Sequence, residues 1–523
     1  MSASSDRRKR QEAIASGLDK KTNASLEEQK KQRKSKFNWI FGSIVVALLI
    51  AAILILNSNL FYTRTTAVQV GDKSYTTAQF NYYYKTQYYN FMQQYGSYAS
   101  YFGLDTDQPL KSQTCNMMED GGTWYDYFKQ SALNMMAQVT ALSEYANKNG
   151  IKLEESDTAE IDSEMSQLAE NAVTNKYSST KNYLSALFGR GCTEEVVRAE
   201  MERSALATKA YNTVRDSYTF TDAELEKEYQ DNKDSFDLFS FDYYLVAAEK
   251  VASDKTTATD ATGTDTDTAD NSAVTAETMA AAKATADKIA AAAKTGDFTK
   301  AVSDQVADAT PTAQTDVSGS NVASDYAEWI KSADRHAGDV TVVESADNGY
   351  YVVKYNGRSD NHYQLAEARH ILIKAAADDD GKYTDEAKAE AKAKLQEIYD
   401  EWLKGDKTEK SFAALAEKYS EDSGSNTNGG LYDEIYKGQT VDEFDKFCFA
   451  EGRKPGDTAI VYGETSEYAG YHLVYYVGLN DELYSSYLAK NQLVSDKLNA
   501  WQTELFKNYT TTTKFPLRFA NAS

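Results

Sequence analysis

ARHILIK, residues Ala368–Lys374, is an apolar run with one histidine inside it, and it reads as a buried strand. Helical spacing follows. From Thr384 to Lys404, the residues Leu395, Ile398, Tyr399, Trp402 and Leu403 share one face, and Gly405 closes the helix. A shorter helix carries Phe412, Leu415, Ala416 and Tyr419. SEDSGSNTNGG, Ser420–Gly430, then has the composition of a loop. A helical EFDKFCF and a closing strand, YHLVYYV (Tyr471–Val477), complete a domain of βααβαβ type.

Upstream, the same order recurs. Phe239–Val246 (FSFDYYLV) is an apolar, β-rich run, and Thr275–Lys294 is an Ala-rich helix. Phe444–Asp457 (FDKFCFAEGRKPGD) superposes without a gap on Tyr326–Asp339 (YAEWIKSADRHAGD). AGYHLVYY (Ala469–Tyr476) matches NGYYVVKY (Asn348–Tyr355). The reading is two tandem copies of one domain, 237–362 and 363–480. Inside the first copy, residues 253–273 hold seven Thr and five Asp and no large apolar side chain. Such a stretch cannot offset its ordering entropy, and a disordered loop is expected.

The rest of the 523 residues frames these copies. At roughly 150 residues per domain the length suggests three to four domains. A net charge of −23 excludes nucleic acid as a partner. Three Cys and four His exclude a disulfide framework and leave little for a metal site. Cys115 and Cys192 are free to pair or not, and the sequence leaves that open. His362 and His370 lack metal-ligand spacing, His336 stands alone, and Cys448 sits on an apolar helix face.

The charge is uneven. Residues 1–36 carry eleven Lys/Arg against five acidic residues, a local +6, so the remainder carries −29. Next comes WIFGSIVVALLIAAILIL, Trp39–Leu56, eighteen residues without a charge. At 1.5 Å per residue this run spans about 27 Å, enough for a bilayer core. A retained transmembrane helix at 37–58 is expected, with 1–36 as a cytoplasmic tail and the bulk of the chain outside the cytoplasm.

Residues 59–236 read as a helical lobe. Phe80, Tyr84, Tyr88 and Phe91 line one stripe, and Thr193 and Thr221 precede acidic first turns as caps would. Two readings stand side by side: a plain scaffold, or aromatic faces that form a peptide-binding cradle. In the last segment, 481–523, Tyr487, Val494, Leu498, Trp501 and Leu505 recur at helical spacing and need a surface to cover them.

RHILI, then FxxLAxxYSxDSxS, the pair GG, GQxVxxF and finally GYHLV resemble, in order, the signatures of parvulin-type peptidyl-prolyl isomerases over Leu365–Val477. The preceding helical region, TDAELEKEYQDNKDSF above all, is similar to extracytoplasmic foldases of the SurA and PrsA type. The implied fold is α+β and multidomain: an N-terminal transmembrane helix, a helical chaperone lobe, two tandem parvulin-like domains, and a C-terminal helix returning to the lobe.

The resemblance implies a site of His370 and His472 on adjacent central strands, with Asp422 and Ser420 beside them. It also implies an apolar proline shelf at Phe444 and Thr440, walled by Tyr432 and Phe449. Thr440 stands where the family usually has Met, and Tyr432-Asp433 where Leu-Gly is usual. Neither metal nor cofactor is implied, because rotation about an X-Pro bond needs no covalent step. Asp378–Asp380 replace the basic loop of phosphate-selective parvulins, which argues against phosphopeptide substrates. In the upstream copy Tyr243 falls opposite His370 and Tyr351 opposite His472, so that copy is expected to be a spacer or binding surface. The implied function is a cell-membrane foldase acting on unfolded polypeptides with X-Pro bonds, both isomerase and holdase. The alternative is a non-catalytic anchored chaperone that uses parvulin folds as binding modules. The oligomeric state is left open.

Overall fold

A computed structural model describes residues 3–16, 28, 31, 34, 39–41, 43–51, 54, 59–119, 121–252, 272–346, 348–378 and 381–520. They fall into two compact units, one running to Tyr218 and resuming at Asp496, the other spanning Thr219–Ser495.

In the first unit a hairpin of β1 (Thr66–Val70) and β2 (Lys73–Thr76) turns at Gly71. The φ of +52° there is one that L side chains rarely adopt. Helix α1 (Thr77–Tyr95) starts at Thr76, whose hydroxyl accepts from the Gln79 amide while the Gln79 side chain returns to the Thr76 amide. Thr123 and Asp126 cap α2 (Trp124–Lys148) in the same way. Helices α3 (Glu155–Thr174), α4 (Thr180–Leu187) and α5 (Glu194–Ser217) complete the series.

The aromatic stripe of α1 is core, not an open cradle. Phe80 and Tyr84 are fully buried and Phe91 nearly so. Tyr84, Tyr88 and Phe91 each pack edge-on against Phe128 of α2. The spacing that marks an apolar face does not say whether another helix covers it, and here one does. Among the exposed aromatics of this unit are Tyr89, on another face of α1, and Tyr98 and Tyr101 further along.

The second unit begins with α6 (Asp222–Asp231). Its first copy runs β3 (Leu238–Ala247), α7 (Ala276–Ala293), α8 (Phe298–Ser303), β4 (Thr312–Ser318), α9 (Ser324–Lys331), β5 (Val340–Ser345), β6 (Gly349–Ser359). Its second runs β7 (Gln364–Lys374), α10 (Asp385–Lys404), α11 (Glu409–Tyr419), β8 (Leu431–Ile435), α12 (Asp442–Cys448), β9 (Thr458–Glu464), β10 (Ala469–Leu483). The sheets are four-stranded and antiparallel, ordered β4-β3-β6-β5 and β8-β7-β10-β9, the same arrangement twice. Each copy therefore has one strand more than the βααβαβ pattern. β5 and β9 escape a sequence reading because they are edge strands, half-buried on both faces, without clean alternation. Of the loop expected at 253–273, residues 253–271 lie outside the described residues, whereas Ser272 and Ala273 pair with Ala252 and Val251.

Helix α13 (Tyr484–Phe506) follows β10 directly, and the chain from Asp496 on belongs to the first unit. There Trp501 packs edge-on against Tyr145 at 5.1 Å, and Tyr509 donates to Glu144 at 3.0 Å. Strand β11 (Thr511–Thr513) pairs antiparallel with β1.

Part of the 37–58 run lies outside the described residues; 39–41, 43–51 and 54 are helical. Among the described residues no helix is long and apolar enough to cross a membrane. All three cysteines are buried and free, so Cys115 and Cys192 do not pair.

Candidate active site

Strands β7 and β10 are the two inner strands of the second sheet, and strand alternation sorts their side chains. Ile371, Ile373 and Leu473 enter the core under α10 and α11. Ala366, Ala368, Val474 and Tyr476 face the other way, onto Phe444, Phe447 and Cys448 of α12. His370 and His472 share that second parity. Their register, His370 opposite Val474 and His472 opposite Leu372, makes them diagonal neighbours. The His370 and His472 Nδ1 atoms lie 3.0 Å apart, and both rings are at most 5% exposed.

The loop after α11 is laced to β7. Leu372 donates its amide to the Ser420 hydroxyl at 3.1 Å, Glu421 donates to the Leu372 carbonyl at 2.9 Å, and His370 donates to the Gly430 carbonyl at 2.8 Å. Gly430 has φ +74°, and a Cβ there would stand 2.2 Å from the His370 carbonyl oxygen, so no side chain fits. This lacing brings Asp422 to His370. Its Oδ2 is 2.9 Å from His370 Nε2 and accepts from Ser425 Oγ at 2.5 Å and from the Tyr432 hydroxyl at 3.1 Å. Gly424 N–H donates to the other oxygen. At the far end, Tyr468 Oη is 2.9 Å from His472 Nε2.

The hydrogen bond from His370, above all, holds the Asp422 carboxyl well below the usual carboxylate range, so Asp422 accepts. His370 then donates from Nε2, one hydrogen bond joins the Nδ1 atoms of the two rings, and the Tyr468 hydroxyl meets the far nitrogen of His472. The His472 imidazole is neutral. Burial, reinforced by His370, lowers the His472 pKa to about 3 against an opposing pull from Asp422. Burial, with Asp422 next, pushes Tyr432 up to about 12, so it remains a donor.

The sign of the pH effect follows. From about pH 6.5 down to about 3 the unfolded chain binds a proton at His472 that the folded chain refuses. The stabilisation is complete above 6.5 and is lost as pH falls. Asp422 adds nothing in this range, since its contribution fades only below its ordinary value of 3.8. Lowering the pH from 6.5 to 5 should cost about 2 kcal/mol through His472, read as a falling urea midpoint. His472→Phe should remove about one proton from that dependence; an unchanged slope would refute the assignment.

A cavity of about 840 Å³ opens on this network, lined by His370, His472, Asp422, Tyr432, Thr440 and Phe444, among others. The Phe444 ring lies edge-on to both imidazoles, at 5.7 and 5.8 Å. Two expected residues are elsewhere. Phe449 lies one residue beyond α12 and packs edge-on against Tyr363 at 5.7 Å, away from the cavity lining. Ser420 is buried as an anchor for Leu372 and does not line the cavity either. Ser425 and Tyr468 take part instead. Ser425 was present in the YSxDSxS pattern itself, whereas Tyr468, in the turn before β10, carries no sequence signal. Among the described residues no group of three His, Cys, Asp or Glu side chains is placed to hold a metal ion.

Residues 350–477 match the family model of the PPIC-type PPIase domain, and residues 27–211 match that of the SurA-like N-terminal domain. The chain thus joins a SurA-like helical domain to a parvulin-type domain, in a mixed α+β architecture. A chaperone SurA from Alkalilimnicola ehrlichii is 36% identical over 128 residues, 24% of this chain and 27% of that protein. The chain therefore spans about a quarter of the length of that curated relative.

Among solved structures, the peptidylprolyl isomerase PrsA of Bacillus anthracis matches at 22% identity and TM-score 0.18, over 31% of this chain and 62% of that one. The foldase protein PrsA of Streptococcus pneumoniae matches at 12% identity and TM-score 0.24, over 75% of this chain and 84% of that one.

Proposed function

We propose that this chain is an extracytoplasmic folding factor, a peptidyl-prolyl cis/trans isomerase with holdase activity on unfolded polypeptides. The observation that carries the reading is the pair of buried, hydrogen-bonded histidines against Phe444 in the lining of a cavity of about 840 Å³. Rotation about an X-Pro bond faces a barrier near ~20 kcal/mol, set by amide conjugation. The planar amide is the more dipolar state, and the twisted one is less so. A proline ring held on Phe444, beside the buried imidazoles and away from water, binds the twisted form in preference and lowers the barrier. Buried partners keep the network rigid, so it need not reorganise during the turn.

The holdase part rests on the SurA-like domain match and on the exposed Tyr98, Tyr101 and Met117 of the first unit. The upstream copy shares the sheet order but presents Tyr243, Tyr326 and Tyr351 packed on one another where the second has its histidines and Phe444. It serves as a non-catalytic parvulin-like module. The anchor rests on sequence: eighteen uncharged residues behind a +6 tail, with Trp39, Leu48 and Leu54 exposed.

The test is proline isomerisation in a short peptide, followed by protease-coupled cleavage. Acceleration over the uncatalysed rate supports the reading; none, with a folded chain, defeats it. Retention of the chain with membranes at high salt checks the anchor.

A further inference from the structure

We infer that the isomerase cavity selects prolines flanked by lysine or arginine; the inference rests on the isomerase reading above. Five carboxylate residues and one lysine line the cavity: Asp422, Asp442, Glu443, Glu464 and Glu467 against Lys374. Three of the acids are already engaged. Asp422 accepts from His370, Ser425 and Tyr432. Glu464 pairs with Lys388 at 2.9 Å, and Glu443 with Lys446 at 3.0 Å. Asp442 and Glu467 make no ion pair among the described residues, and both are exposed.

The one cation, Lys374, is exposed, lies over the Tyr468 ring at 5.7 Å and makes no ion pair among the described residues. The lining thus holds two exposed carboxylates without an ion-pair partner, Asp442 and Glu467, against one lysine, Lys374. A second feature points to a peptide ligand. The Thr440 hydroxyl, in the same lining, is buried without a hydrogen-bond partner among the described residues. A substrate carbonyl would accept from it.

A peptide with a cationic side chain next to its proline places that charge near Asp442 and Glu467 while the ring occupies Phe444. An acidic neighbour meets like charge and is repelled. The effect is electrostatic, so salt must weaken it; the Debye length falls from about 10 Å at 0.1 M to about 3 Å at 1 M.

The experiment uses the full chain and three peptides of equal length, with Lys, Ala or Glu on both sides of one proline. The expected order of kcat/KM is Lys, Ala, Glu, with about ten-fold between the extremes at low salt and a ratio near one in 1 M NaCl. Asp442→Asn with Glu467→Gln should reduce the Lys-to-Glu ratio by at least half of its logarithm. Equal rates on all three peptides would overturn the inference and leave the isomerase reading intact. So would a Lys preference untouched by the double substitution, which would trace it to the −29 carried by the chain beyond residue 36. No turnover of any peptide would defeat the isomerase reading, and the inference with it.

Discussion

A chain carrying His370→Ala and His472→Ala is expected to lose about 10²-fold in kcat/KM for proline isomerisation, the usual scale when a preorganised polar group leaves a catalytic site. The loss has three physical parts. Tyr468 no longer has the His472 nitrogen at 2.9 Å as its hydrogen-bond partner. Asp422 no longer has the His370 donor and keeps only Ser425, Tyr432 and the Gly424 amide. Phe444 loses the two rings that stand edge-on to it, so the shelf is free to shift into the space left behind. Suppression of client aggregation should survive, because the exposed aromatics Tyr98 and Tyr101 belong to the other compact unit. The matching control is Tyr243→Ala with Tyr351→Ala in the upstream copy, which should change peptide isomerisation less than two-fold. Light scattering of a refolding client, measured beside cis/trans kinetics, reads both activities. If the double-histidine chain stays folded by circular dichroism yet loses both, the two functions share one site and the proposal fails.

How far the site could be read from sequence depended on the kind of signal. His370 and His472 were legible because each lies in a strand of unmistakable apolar pattern, and strand alternation then fixes the face on which both emerge. Asp422 came with its loop, whose glycine pair needs positive φ at both residues. Phe449 was misplaced for a geometric reason. Phe444, Phe447 and Cys448 point inward from α12, but the helix ends at Cys448, and the next residue turns away toward Tyr363. Ser420 and Ser425 show the limit of residue type alone. Both are buried serines in one loop, and only the fold decides that the first serves the Leu372 amide and the second Asp422. The aromatic stripe of α1 was legible as apolar, but its cover, Phe128 and its neighbours on α2, lies some forty residues away. Periodicity reports a face and not its partner.

The largest stability effect is expected at Asp237, where α6 meets the first copy. Asp237 is 1% exposed and carries four close partners: Arg358 Nε at 2.6 Å, Lys233 Nζ at 2.8 Å, the Tyr229 hydroxyl at 2.6 Å, and, on its backbone carbonyl, the Gly319 amide at 2.9 Å. Burial alone would raise its pKa, but the hydrogen bonds from Lys233, Tyr229 and Arg358 outweigh burial and hold it below the ordinary value. The same cluster reaches further, since Tyr229 accepts from the Asn361 amide at 3.0 Å and Arg358 also pairs with Asp234 at 2.8 Å. Asp237→Ala leaves two cations facing each other without their shared anion and a buried hydroxyl without an acceptor. Breaking a buried pair from one side typically costs about 3–5 kcal/mol. That loss should appear as hydrogen exchange faster by about one hundred- to four thousand-fold, by the usual ~1.4 kcal/mol per factor of ten, in the amides of β3, which pairs with both β4 and β6. Exchange in β7 and β10 should change far less, because that sheet has its own core. Combining Asp237→Leu with Arg358→Met should recover part of the loss, since it removes the unpaired Arg358 charge while the Tyr229 hydroxyl and Lys233 still lack their acceptor. If Asp237→Ala exchanges like the wild type in β3, the ion cluster contributes nothing there. If the double variant is as fast as the single one, packing rather than unpaired charge sets the cost.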